Sequence, residues 1–135
     1  MTTPEIPDSH KGLLGAQVGV LGTIGASGRP QLSAIWFLAE GDTVKLSLNT
    51  SRQKVKNLQA NPACSLLIVD PGNPYRTVEL RGDAQIAPDP DYEFAKKLGA
   101  KYGGADLSEH DGPDDLRLVV TIVPTRVTVW GAAAA

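Results

Sequence analysis

Apolar and polar positions alternate along most of this chain. Residues 17–25 place Val18, Val20, Gly22 and Ile24 at every second position. After a glycine-containing turn from Ala26 to Pro30, residues 31–39 resume with the β-favouring Ile35, Trp36 and Phe37. Two such runs around a short turn predict a β-hairpin. Glu40-Gly41-Asp42 predicts a second tight turn into residues 43–49, where Val44, Leu46 and Leu48 face one way and Lys45 and Ser47 the other. That alternation marks a strand with one buried face.

Period two stops at Thr50. Residues 51–60 predict a short helix capped by Ser51, anchored by Val55 and Leu58 and ended by Asn61-Pro62, because a residue before proline is pushed out of the helical region. Residues 64–69 predict a compact apolar strand, residues 70–74 a loop and residues 75–87 one long strand. A second helix is expected to open at Asp89-Pro90-Asp91, where acids suit the helix dipole, with Tyr92, Ala95, Leu98 and Tyr102 on its apolar face. Residues 103–115 predict a mobile, acidic loop. Closing strands follow at 117–123 and 125–130, with Pro124 marking a break or bulge. At the start, Asp8 or Ser9 can cap a short helix docked through Leu13-Leu14 within a lead-in of residues 1–15, and residues 132–135 are expected to form a disordered tail. No repeat or linker divides the chain, so residues 1–135 are expected to form a single domain. The fold class is mainly β: six to seven mostly antiparallel strands with two to three helices, closing as a small barrel or packing as a sandwich.

Composition narrows the function classes. The chain has 135 residues, of which 41% are hydrophobic and 21% charged, enough to bury one core without disulfides. Thirteen Lys and Arg against 15 Asp and Glu give a net charge of -2, which argues against a generally basic nucleic-acid binder. One cysteine excludes an intrachain disulfide and a cysteine-rich zinc site, and two histidines make a histidine-rich metal site unexpected. The N-terminus lacks the basic start and apolar run of a signal peptide. No apolar stretch approaches the roughly 20 residues that span a bilayer, so a cytoplasmic protein without membrane insertion is expected.

The charge is unevenly distributed. Between Asp42 and Asp70 there is no acid, and Lys45, Arg52, Lys54 and Lys56 all lie in that window. Cations in the first turns of a helix oppose its dipole at about 0.3–1 kcal/mol each when exposed. The alternatives are a solvated lysine-rich helix or one whose start meets an anion. In the second case backbone N–H groups, the Thr50 and Ser51 hydroxyls, the Arg52 fork and the Lys54 point charge would form a phosphate cradle. Elsewhere the bland readings prevail. His10 and His110 read as surface residues, Cys64 as a small core residue and Trp130 as a core or interface aromatic. The acids around His110 read as a solvated loop that could still cover a substrate. Gly22, Gly25 and Gly28 lie in a strand and hairpin, so they form no dinucleotide fingerprint.

Several segments together carry a resemblance. These are His10 with Leu13-Leu14, the run from Leu21-Gly22-Thr23-Ile24 through Ser33-Ala34-Ile35-Trp36-Phe37, and Asn49-Thr50-Ser51-Arg52-Gln53-Lys54-Val55-Lys56-Asn57-Leu58 with Asn61-Pro62. Val78-Glu79-Leu80-Arg81-Gly82-Asp83-Ala84 and Pro124 through Val129-Trp130-Gly131 complete the set. In this order they resemble the flavin and deazaflavin oxidoreductases of the pyridoxamine-phosphate-oxidase-like split-barrel superfamily. The spacing of Arg52, Lys54, Asn57 and Leu58, with Gln53 between the two cations, looks most like the branch that uses coenzyme F420.

The resemblance implies a split β-barrel homodimer with a cofactor in each of two interface grooves. Gln31, Ser33, Ala34, Ile35 and Trp36 would lie along the tricyclic ring. Thr50, Ser51, Arg52, Lys54 and Asn57 would hold the phosphate, Asn49 would join the cofactor site, and Tyr75 and Arg76 would approach from a neighbouring strand. It implies a reductase passing hydride from reduced F420 to an electron-poor small substrate such as a quinone, enone or tetrapyrrole. The cofactor does the chemistry, so no nucleophile–base pair is needed, and the proton would come from water or a side chain. FMN in the same groove is the alternative within enzymes. A non-catalytic F420 or flavin carrier, or a haem-binding module, is the alternative outside them. Oxidation of pyridoxine phosphate itself is not expected, since the C-terminal segment that binds it in that enzyme has no counterpart here.

Overall fold

The computed structural model describes residues 4–131, so residues 1–3 and the expected tail at 132–135 lie outside the described part. Seven strands form one sheet: β1 (Gly19–Ile24), β2 (Pro30–Ile35), β3 (Leu38–Glu40), β4 (Thr43–Asn49), β5 (Ala63–Asp70), β6 (Asn73–Pro88) and β7 (Arg117–Trp130). Their order is β2-β1-β5-β6-β7-β4-β3, and every neighbouring pair is antiparallel. A single curled sheet, not the two of a sandwich, carries the core, which makes this a split β-barrel. The helices are α1 (Gln53–Ala60) and α2 (Glu93–Lys101), with 3-10 segments at Asp8–Gly15 and Leu107–His110.

The period-two residues supply the core. Leu21, Leu46, Leu66, Ile68, Val78, Leu80, Val120 and Ile122 are fully buried on the inner face, and Val55 and Leu58 of α1 join them. A smaller cluster of Ala95, Leu98 and Leu107 seats α2 and the second 3-10 segment against the sheet. Cys64 is buried as well, and burial pushes its thiol up to about 11, so it is an inert packing residue.

Several elements differ from the sequence reading. The strand expected at 31–39 breaks at Trp36-Phe37, dividing into β2 and β3. The strands expected at 117–123 and 125–130 are one continuous β7, in which the register shifts opposite Arg81 and Gly82. Gly82 faces Pro124 and Arg81 faces Arg126, leaving Thr125 as the extra residue of a bulge that accommodates a proline with no N–H to donate. A Cβ on Gly82 would overlap the Val123 carbonyl. Gly82→Ala is therefore expected to cost about 3 kcal/mol and lower the melting temperature by about 10 °C, checked by thermal unfolding.

Strand β6 begins at Asn73, inside the expected loop. Helix α1 begins after Arg52, not Ser51, and no side chain caps it. Helix α2 begins at Glu93, following Tyr92 in a left-handed conformation, and the Asp89 carboxylate accepts from the N–H groups of Phe94 and Ala95 at 3.2 and 2.9 Å. His10 is not a surface residue: its ring is buried, with Nε2 donating to the Trp130 carbonyl at 3.0 Å and Nδ1 2.8 Å from the Ser9 hydroxyl. Trp130, by contrast, is 71% exposed and takes no part in the core.

Candidate functional site

A groove of about 390 Å³ opens between the end of β2, the end of β4, the start of α1 and the α2 side of the barrel. Ala34, Ile35 and Trp36 line it from the end of β2, Arg52 and Lys54 from the start of α1, and Leu98 and Leu107 supply apolar surface. Ser47, Asn49, His110 and Arg117 complete the polar lining.

The junction between β4 and α1 is rigidly organised. The Asn49 Oδ1 accepts from the Ser51 amide at 3.1 Å and the Ser51 hydroxyl at 2.6 Å, so this turn is held by its own side chains. The Asn49 amide group donates onward to the Asp111 carboxylate at 2.8 Å and the His110 carbonyl at 3.3 Å. Thr50 exchanges hydrogen bonds with Leu116: its N–H donates to the Leu116 carbonyl, and its hydroxyl accepts from the Leu116 N–H, both at 3.0 Å. The local polar side chains therefore fix the backbone, while the cations remain available. Among the described residues, neither Arg52 nor Lys54 has a carboxylate partner. Burial, and then the Arg52 charge, pull the Lys54 ammonium below its ordinary value. A half-buried ammonium beside a guanidinium, with no acid nearby, is an arrangement that an anionic group would relieve.

Arg117 of the groove lining belongs to a buried ion pair. The Arg117 and Asp111 side chains are each 5% exposed and hydrogen-bonded to one another. Arg117 also donates to the Leu107 carbonyl at 2.8 Å, and Tyr92 donates its hydroxyl to Asp111 at 2.8 Å. Burial alone would raise the Asp111 carboxyl, but hydrogen bonds from Arg117, Asn49 and Tyr92, with the Arg117 charge, outweigh it and hold the carboxyl below its usual range. The segment expected to be a mobile acidic loop is therefore tied down through Asp111.

The groove brings together six of the candidate residues: Ala34, Ile35, Trp36, Asn49, Arg52 and Lys54. The others lie outside its lining. Asn57 is buried and committed within the protein: its amide group donates to Thr23 Oγ1 at 3.1 Å and Gln31 Oε1 at 3.0 Å, and its Oδ1 accepts from Gln53 at 2.9 Å. Gln31 and Ser33 are half-buried, and Thr50 and Ser51 serve the junction. Arg76 is buried, bound to Asp70 at 3.0 Å and to the Ser9 carbonyl, and Tyr75 is 77% exposed.

Sequence reasoning missed Ser47, Leu98, Leu107 and Arg117, and set His110 aside. The available signal was Arg117, a cation opening the largely apolar run from Leu118 to Val123. No group of three metal-ligating side chains occurs among the described residues, and no described helix is long and apolar enough to cross a membrane.

A curled antiparallel barrel with a groove at its β4–α1 junction defines the class as a split β-barrel. The chain belongs to the pyridoxamine 5'-phosphate oxidase family, whose sequence model matches residues 6–131. Among solved structures, it resembles an F420 reductase at 35% identity and a TM-score of 0.80, covering 91% of this chain and 98% of that one. A conserved hypothetical protein from Mycobacterium tuberculosis shares the fold at 24% identity and a TM-score of 0.76, over 95% of this chain and 86% of that one. HupZ of Group A Streptococcus also shares it, at 24% identity and a TM-score of 0.73, over 96% and 99% of the two chains.

Proposed function

We propose that this protein is a reductase using reduced coenzyme F420, acting on an electron-poor small molecule as a cytoplasmic homodimer with cofactor at the subunit boundary. The observation that carries the reading is the pair of cations without acid partners among the described residues, Arg52 and Lys54, in a groove also lined by Ala34, Ile35 and Trp36. The likeness to an F420 reductase at 35% identity supports F420 over FMN.

The residues present suit such a cofactor. Arg52 and Lys54 hold its phosphate, as a fork and a point charge. The small side chain of Ala34 lets a flat ring approach β2, and Ile35, Leu98 and Leu107 keep water from the apolar part of the groove. The bound cofactor supplies a hydride; the chain supplies orientation, so no nucleophile is required. A second copy fits beside the groove. Ala34 stands opposite Val20 and Val20 opposite Leu67, which, with Leu32 at 70% exposure, form an apolar patch on the outer sheet face continuous with the groove wall.

Side-by-side titration of the protein with F420 and FMN, with its mass in solution measured by light scattering, tests the reading. F420 is expected to bind at least tenfold more tightly to a dimer. Tight FMN binding with none for F420 overturns the cofactor assignment, and tight F420 binding without turnover on quinones, enones and tetrapyrroles makes the protein a carrier.

A further inference from the structure

The strand break at Trp36-Phe37 is built by residues far away in sequence. Leaving the sheet should strand the backbone N–H and C=O of Phe37, which is itself fully buried. Tyr102 meets both: its hydroxyl accepts from the Phe37 N–H at 2.9 Å and donates to the Phe37 carbonyl at 3.1 Å. The Lys101 ammonium adds bonds to the Phe37 carbonyl at 2.9 Å and the Ala16 carbonyl at 2.8 Å, and lies 3.8 Å from the centre of the Phe37 ring. The Tyr102 ring then stacks on Trp36, with centroids 4.1 Å apart and planes only 4° from parallel. One face of the indole is covered by Tyr102, while the residue remains 39% exposed and lines the groove.

This arrangement carries the chain from β2 at one end of the sheet order to β3 at the other, with Tyr102 and Lys101 meeting the backbone groups that the crossing frees. Its product is an indole held flat at the wall of the groove, and a fixed aromatic face recognises a flat conjugated ring. We propose that Lys101 and Tyr102 are positioning residues that hold Trp36 as a stacking wall for the flat tricyclic ring of a flavin or deazaflavin cofactor. The ring, Trp36 and Tyr102 form a three-layer stack. The inference rests on the proposed function for the identity of the ring, but not for the existence of the wall.

Tryptophan fluorescence isolates the wall when Trp130, exposed and outside the groove lining, is replaced in a W130F background. In that background F420, FMN and riboflavin, which has the ring without a phosphate, are titrated in turn. At least one ring is expected to quench Trp36. Trp36→Leu should weaken that ligand about tenfold, and Tyr102→Leu should do nearly as much. Tyr102→Phe keeps the stack but loses the hydroxyl's bonds to Phe37. It should raise the accessibility of Trp36 to acrylamide in the ligand-free protein and weaken ring binding several-fold, while KM or Kd moves and kcat does not.

Absence of Trp36 quenching by all three ligands overturns the stacking wall. Unchanged acrylamide accessibility in both Tyr102 variants overturns the positioning role. Quenching by FMN or riboflavin without F420 binding leaves the wall standing and removes the F420 reading. Normal F420 binding with Trp36→Leu unaffected does the reverse.

Discussion

Replacing Asp111 with alanine is expected to destabilise the protein by about 3–5 kcal/mol, the cost of leaving one member of a buried ion pair without its partner. Arg117, 5% exposed at its side chain, would keep its contact with the Leu107 carbonyl but lose its counter-charge. The same change frees Asn49 and Tyr92, which both donate to this carboxylate. In thermal unfolding the midpoint should fall by about 10–20 °C. A neighbouring acid outside the network, Asp114, provides the control and should move the midpoint little. The wild-type protein carries the same signature in its pH response. The folded-state Asp111 carboxyl is held below its unfolded value, so its stabilisation is complete above about pH 4 and is lost as pH falls through the folded value. Denaturant midpoints measured from pH 6 down to pH 2 should therefore fall more steeply for wild type than for Asp111→Asn, which has no carboxyl to titrate.

The second large effect is on binding. Arg52→Ala with Lys54→Ala should weaken F420 by about 100- to 1000-fold, two charge-assisted phosphate contacts at about 1.5–3 kcal/mol each with incomplete additivity. The remaining affinity should depend less on salt. Because Lys54 lies below its ordinary value in the free protein, an arriving phosphate stabilises its charged form. Affinity should accordingly be greatest where Lys54 is already protonated, and should decline with proton uptake as pH rises through the alkaline range. Titration calorimetry in two buffers of different ionisation enthalpy reads that uptake directly. An affinity unchanged in the double variant would remove these two residues from the phosphate site.

Much of the barrel was legible because one-sided burial imposes period two on the sequence. Residues 43–49 alternate in the sequence and alternate in burial, and β4 takes those bounds. What escaped depended on distant partners. Nothing in Ile35-Trp36-Phe37 announces a break, since all three residues favour strands; the backbone groups it frees are met by Tyr102, 65 residues away from Phe37. His10 looked like a polar residue in a polar entry segment, and only the carbonyl of Trp130, 120 residues distant, makes its burial possible.

The candidate site divided along similar lines. The cations at Arg52 and Lys54 could be found from charge placement alone, because their position opposes the helix dipole and calls for an explanation. Asn57 sits in the same motif, yet its side chain is spent on Thr23 and Gln31. Sequence spacing cannot distinguish an amide that faces a ligand from one that buttresses the helix that does. Asp111 was indistinguishable from its neighbours Asp114 and Asp115 until the fold placed Arg117 beside it.

The position of β7 bears on how the protein is made. It is the last described strand in the chain but lies between β6 and β4 in the sheet, pairing Asn49 with Arg117 and Thr77 with Trp130. Until the ribosome has released β7, β4 and β3 have no edge to join, and the Asn49–Arg117 side of the groove does not exist. Loading with any ligand must therefore follow synthesis of β7, and the nascent protein passes through a stage with two unjoined pieces of sheet whose bare edges are open to other chains.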